Sequence, residues 1–418
     1  MARLLLILLD GVADRPDPSL NWTTPLHAAR TRYLDVIARG GLLRRVQPLG
    51  QKVAPESDVA VFGMLGYRFE KDYPGRGVVE AVGADLDFQN GDLALRANFG
   101  TIAADRRIAD RRAGRDFSNE EAVELGILIN KGVKLEDASF SFVSTVGYRG
   151  VLVIRASEPL SANITNTDPG YIRKGRIGLV REDASVSRLL PCKPVGTAKS
   201  SKIVASLVNS FTQQSLKILS SANVNLKRIM ENKRPANAIL LRDAGNSLPT
   251  IQKLNEKYGR SFASIVDMPV EKGISRLTGM QEFEAGAQSD YEEKASKCVD
   301  LLERFDVVYV HIKGPDEPGH DGNANAKKRV IEEIDFRFFK TILSSLNLGE
   351  SYVVVSADHA TPCQLRVHSN DPVPLLIRGP AISGRFGCRF TEENAKMVSR
   401  SVMSSYQVLD WVMKEFLA

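Results

Sequence analysis

The chain has few cysteines, no long apolar run and no basic module. Its four cysteines, Cys192, Cys298, Cys363 and Cys388, lie far apart with no CxxC pair. That argues against a disulfide framework or a zinc knuckle and for a reducing, cytoplasmic compartment. No apolar stretch approaches the roughly 20 residues of a membrane helix. The run at Leu4 to Leu9 stops at Asp10, so it reads as a buried first strand rather than a leader. No Lys/Arg-rich helix with interleaved aromatics is visible, and a net charge of +6 is mild for 418 residues. Neither nucleic acid nor a membrane is therefore an expected partner. No repeat or low-complexity tract is present either. With 43% hydrophobic and 25% charged residues, the chain can bury a large core and is long enough for two domains.

Histidine is also scarce, and its placement is informative. Of five histidines, His311, His320, His359 and His368 fall in the last third. Tyr352 to Ser356 is an apolar, β-branched run that stops just before Asp358 and His359, with His368 on the next segment, as expected of a strand carrying metal ligands at its tip. A second buried strand ends near His311, and the Pro/Gly-rich stretch after it holds Asp316 and His320. Pro315, Pro318 and Gly319 predict a loop there. His311, inside the strand, reads as a core residue.

Asp10-Gly11 ends the first strand, where ligands gather in open α/β sheets. Alone, Asp10 reads first as a turn residue before Gly11. Ser57 precedes a helical pattern at Val61, Met64 and Leu65, so it is a capping serine or, if a metal lowers its pKa, a nucleophile at a helix N-terminus. Together, Asp10, Ser57, Asp316, His320, Asp358, His359 and His368 form a mixed oxygen and nitrogen set suited to two neighbouring divalent cations. Mn²⁺ is favoured, and Zn²⁺ or Mg²⁺ is acceptable. Paired cations suit in-line phosphoryl transfer.

The texture changes at about Tyr73 into an alternating, glycine-spaced region with strand-like runs near 93–99, 140–146 and 151–155. This predicts an inserted α+β domain over 73–190, a helical connection over 191–234, and a core of 1–72 plus 235–418. The insertion carries Asn98, Asp110, Arg111, Arg115 and Arg149, candidates for forked contacts to an anionic small substrate, although a charge run is more often a solvated face. Arg242 ends a later strand, and Lys272 lies where a helix can begin.

The ordered motifs Asp10-Gly11, Ser57-Asp58-Val59-Ala60, Gly75-Arg76-Gly77, Asn98-Phe99, Asp110 to Arg115, Asp316 to His320-Asp321-Gly322, and Asp358-His359 with His368 resemble the archaeal-type cofactor-independent phosphoglycerate mutases. These belong to the alkaline phosphatase superfamily, and the resemblance covers nearly the whole chain. It implies an alkaline phosphatase-like three-layer α/β/α core with a smaller inserted α+β domain. It further implies interconversion of 2- and 3-phosphoglycerate through a phosphoserine, without 2,3-bisphosphoglycerate. Ser57 would be the nucleophile. Asp10, Ser57, Asp358 and His359 would hold one cation, and Asp316, His320 and His368 the other. Lys272 would contact the transferring phosphate, while Asn98, Asp110, Arg111, Arg115 and Arg242 would face the substrate. The family pattern has glycine where Glu56 stands and histidine where Val61 stands. A phosphatase or phosphotransferase acting on another small phosphate ester would use the same core, and a non-catalytic binding protein is a third reading. Homodimers or tetramers are compatible with this size.

Overall fold

A computed structural model describes residues 2–50, 54–114, 116–180, 188–382 and 388–417. The chain forms two compact units.

The first unit comprises Met1–Asp72, Ile251–Asp267 and Thr278–Ala418. Its eight-stranded sheet runs in the order Gln281–Phe283, Phe262–Ile265, Val307–Ile312, Arg3–Leu9, Ser351–Ser356, Val373–Arg378, Leu42–Gln47 and Met403–Ser404. The first five strands are parallel, whereas Val373–Arg378 runs antiparallel to both of its neighbours. Leu4 to Leu9 and every residue of Val307–Ile312 and Ser351–Ser356 are buried. Successive strand residues point to opposite faces, so both faces of the sheet are covered, as in a three-layer α/β/α sandwich. Leu8 pairs with His311 on one side and Ser356 on the other. The three central strands therefore end at one edge, and Asp10, Lys313, Asp316, Asp358 and His359 leave from it.

Asp316 and His320 lie on a short helix, Asp316–Asp321, and not on a loop as the prolines suggest. Pro315 is the N-cap, and Pro318 falls in the first turn, where the missing N–H has no intrahelical partner to lose. The i,i+4 spacing then sets both side chains on one helix face.

The second unit comprises Tyr73–Thr250 and Met268–Leu277. Leu93–Ile102 is its central strand, pairing antiparallel with Ile108–Asp110, Arg149–Ala156 and Ala238–Gly245. The pairing with Ala238–Gly245 corrects two of the boundaries expected from sequence. The insertion does not end at 190, and residues 235–250 belong to this unit and not to the core. The stretch 191–234 is equally part of the unit, as two helices, Lys199–Ser220 and Asn223–Met230. Leu93, Leu95, Ala97 and Phe99 join Leu125, Ile129, Val208 and Phe211 in the main core on one sheet face. Ala94 joins Val78 and Ala81 on the other.

Helix Arg76–Gly83 meets helix Pro269–Thr278 backbone to backbone. A Cβ on Gly83 would collide with the Pro269 carbonyl oxygen, and one on Gly273 with that of Val79. Neither obstacle is a side chain that can rotate away. Gly273→Ala is therefore expected to lower stability by about 1–3 kcal/mol, read as a fall in the denaturant midpoint at constant slope. An unchanged midpoint would contradict this packing.

Candidate active site

Three loops at the carboxyl edge of the first unit's sheet bring their side chains to one place. Asp316, His320 and His368 form one potential ligand group, Asp10, Asp316 and His359 a second, and Asp10, His311 and Asp358 a third, each with ligand atoms within 4.8 Å of one another. His320 Nε2 is 3.4 Å and His368 Nε2 3.5 Å from the Asp316 carboxylate. His359 Nε2 is 3.2 Å from Asp358 Oδ2 and 3.5 Å from Asp10 Oδ1. The His359 and His368 rings stack with centroids 3.7 Å apart. Ser57, first residue of helix Ser57–Met64, sets its Oγ 3.0 Å from His359 Nε2. All seven residues expected from sequence thus converge. Glu56 is the N-cap at φ −77°, a backbone conformation open to any residue, and Val61 is buried.

His311 joins this cluster as well as being buried. Its Nε2 is 3.4 Å from Asp358 Oδ2, and Lys313 Nζ lies 3.1 Å from Asp10 Oδ2. The sequence alone reads His311 as a core residue and gives Lys313 no distinguishing mark. The available signal was their position at the end of a buried strand beside Asp10.

The residues suit divalent cations on two grounds. Asp10 Oδ1 and Asp358 Oδ2 are buried and accept no well-formed hydrogen bond among the described residues, a costly arrangement for carboxylates without a cation. The imidazoles are also turned correctly. His320 Nδ1 donates to the Arg366 carbonyl at 2.9 Å and His368 Nδ1 to that of Pro55 at 2.8 Å, leaving their Nε2 atoms to act as ligands. Electrostatics agree with the geometry. Burial raises the Asp316 carboxyl, but His320 and His368 outweigh it and hold it well below the usual range. Burial lowers His359, and the Asp358, Asp316 and Asp10 carboxylates more than reverse that. The cluster is a sink for positive charge.

The second unit carries the opposite potential. Arg96 pairs in register with Arg242, and Asn98 with Arg149. Even-numbered residues of Leu93–Ile102 face away from the main core, so these four side chains share one sheet face. Arg242 is buried, with Nη1 3.0 Å from Asp168 Oδ2, and Arg111 Nη2 is 2.5 Å from the same oxygen. Both guanidinium groups lie over the Tyr171 ring, at 4.0 and 4.8 Å from its centroid. Glu80 accepts from Arg76 and lies 3.4 Å from Arg96 Nε. Burial lowers Arg96, and Arg242 and Arg76 lower it further. Burial raises Tyr148, yet Arg149 and Arg112 bring it below its ordinary value. Asn98 Oδ1 is buried and has no hydrogen-bond partner among the described residues. Positive charge is therefore in excess here, and an anion would relieve it.

Other expected substrate residues behave differently. Asp110 accepts from the Arg112 backbone N–H and lies 3.6 Å from Arg234, a local turn role apart from Arg242. Arg115 lies outside the described residues. Lys272 belongs to the second unit, half-buried on helix Pro269–Thr278.

A parallel sheet with acids, imidazoles and an alcohol gathered at its carboxyl edge, in a chain that also carries an α+β unit, defines an alkaline phosphatase-like α/β/α fold. A family model described as 2,3-bisphosphoglycerate-independent phosphoglycerate mutase matches residues 38–225. The protein of that name from Aeropyrum pernix is 42% identical over 93% of this chain and 93% of its own length. Its namesake from Methanopyrus kandleri is 37% identical over 90% of this chain and 87% of its own. The solved cofactor-independent phosphoglycerate mutase of Thermoplasma acidophilum has a TM-score of 0.65 at 31% identity, covering 99% of both chains. A solved Pyrococcus horikoshii protein reaches 0.80 at 29% identity, over 99% of this chain and 97% of that one. The chain belongs to the 2,3-bisphosphoglycerate-independent phosphoglycerate mutase family.

Asp168 supplies a pH test of the guanidinium cluster. Burial raises its carboxyl, but Arg242 and Arg111 more than compensate, leaving it below its ordinary value. A lowered folded value stabilises at pH above the unfolded value of about 3.9 and is lost as pH falls through the folded one. In denaturant titrations, the stability difference between wild type and Asp168→Asn should hold steady from pH 7 to 5 and shrink below about pH 4. A difference that grows on acidification would refute the ion pairing.

Proposed function

We propose that this chain interconverts 2-phosphoglycerate and 3-phosphoglycerate without 2,3-bisphosphoglycerate, through a phosphoserine at Ser57. The observation that carries this reading is the position of Ser57 Oγ, at a helix start and 3.0 Å from His359 within the carboxylate and imidazole cluster. Asp10, Ser57, Asp358 and His359 are suited to one divalent cation and Asp316, His320 and His368 to another. The mixed donors favour Mn²⁺, with Zn²⁺ or Mg²⁺ compatible. When bound, such ions lower the pKa of a coordinated hydroxyl and neutralise phosphoryl oxygens.

Ser57 gives up its hydroxyl proton and Oγ attacks phosphorus. The Oγ–P bond forms as the bond from phosphorus to the glycerate oxygen breaks, and the freed oxygen takes up one proton, so none is gained or lost overall. The backbone N–H groups at the start of Ser57–Met64 face the phosphoryl group, where the helix dipole favours negative charge. The family resemblance gives Lys272 the role of a charged contact to the transferring phosphate. In the return step the other glycerate hydroxyl loses its proton and takes phosphorus from Ser57. Retention of the glycerate between the steps is what separates a mutase from a phosphatase, because water would otherwise accept the phosphoryl group. The guanidinium face of Arg96, Arg149 and Arg242, with Arg111 and Asn98, is suited to hold the glycerate carboxylate bidentately. Four free thiols and no described helix long and apolar enough to cross a membrane fit action on a small phosphate ester in the cytoplasm.

With 3-phosphoglycerate and Mn²⁺, Ser57→Ala should lose on the order of 10⁴-fold or more in isomerase turnover. Added 2,3-bisphosphoglycerate should not stimulate the wild type. Chelation should abolish activity, and Mn²⁺ should restore it. Wild-type turnover by the variant would refute the phosphoserine, and phosphate release exceeding isomerisation would make the chain a phosphatase.

A further inference from the structure

We propose that Thr361 is a positioning residue whose single hydroxyl ties both cation-ligand groups to one geometry. The inference rests on the two-cation reading above and adds a residue that neither the ligand motifs nor the substrate face include. Thr361 is fully buried. Its Oγ1 lies 2.6 Å from Asp316 Oδ1 and 3.1 Å from His359 Nδ1, so one side chain touches a member of each ligand set.

The chemistry of a hydroxyl orients this bridge. Threonine has one O–H to donate, and a carboxylate oxygen can only accept. The proton of Thr361 therefore goes to Asp316, and the contact with His359 must be donated by the imidazole Nδ1–H. In the neutral ring this puts the proton on Nδ1 and the lone pair on Nε2, the atom 3.0 Å from Ser57 Oγ. His320 and His368 reach the same state through backbone carbonyls. Only His359 depends on a side chain that another ligand also uses.

The surrounding backbone holds Thr361 in this place independently. Its N–H donates to the Ala13 carbonyl at 3.0 Å. Its carbonyl accepts from the buried Lys327 Nζ at 2.9 Å, and that ammonium also contacts Asp14 Oδ2 at 2.8 Å. Two glycines make room for it. A Cβ on Gly11 would come 2.6 Å from Thr361 Oγ1, and one on Gly319 within 2.6 Å of the Thr361 carbonyl oxygen and 2.9 Å of Cγ2. Gly11 follows Asp10 and Gly319 precedes His320, so all three ligand loops close on this one residue.

The test compares Thr361→Val, which keeps the shape and loses the hydroxyl, with Thr361→Ser, which keeps the hydroxyl. Mn²⁺ affinity is measured by competition with a chromophoric chelator, and the His359 ring is followed by ¹⁵N NMR in the metal-free protein at a pH alkaline enough for the imidazole to be neutral. The valine variant should bind Mn²⁺ about 10–100-fold more weakly at both sites and lose the Nδ1-protonated signature of His359. Serine should restore both. Thermal unfolding of the metal-free variants reports folding separately, and if the valine variant does not fold, serine against Thr361→Ala decides. The inference is overturned if the valine variant binds two Mn²⁺ per chain as tightly as wild type with the His359 tautomer unchanged, or if serine fails as valine does. Wild-type protein that takes up fewer than two Mn²⁺ would instead overturn the two-cation reading.

Discussion

Everything at the candidate site follows from placing the buried carboxylate of Asp10 within a few ångströms of two others, the buried Asp358 and the half-buried Asp316. Like charges so placed repel strongly where water is excluded, and the protein supplies only partial compensation through Lys313 and four imidazoles. The negative charge left over is what suits the site to divalent cations. The parallel sheet is what makes this arrangement affordable. Strands buried on both faces end at one level, and the charged residues begin where the apolar ones stop.

The second unit solves the converse problem. Alternation along Leu93–Ile102 sends leucine, alanine and phenylalanine into one core and Arg96 and Asn98 to the opposite face, where Arg242 and Arg149 meet them across the ladder. Asp168 and Glu80 neutralise part of that charge and leave a surplus suited to a small organic anion.

Much of the first unit was legible in the primary structure. Apolar runs ending at Asp10, near Asp316 and before Asp358-His359 mark parallel strands, because a strand covered on both faces cannot place a charge until it emerges. Ser57 before an apolar helical pattern marks a helix start for a similarly local reason. Other features were not legible. His311 and Lys313 look like strand filler until the register shows Leu8 between His311 and Ser356. The helix at Asp316–Asp321 was hidden because proline discourages helices in general but is harmless in a first turn. The true extent of the second unit was hidden because the pairing of Ala238–Gly245 with Leu93–Ile102 joins residues that are distant in the chain.

The sequence by itself determined which chemical groups are present, where buried strands end and which family's motifs the chain carries, since each is written in local order or residue type. Only the tertiary structure decided that Thr361 bridges Asp316 and His359, that His311 touches Asp358, and that Arg242 shares Asp168 with Arg111. Such contacts arise from strand register and loop closure over long separations, and a hydrogen bond made across that distance leaves no periodic trace in the residues that make it.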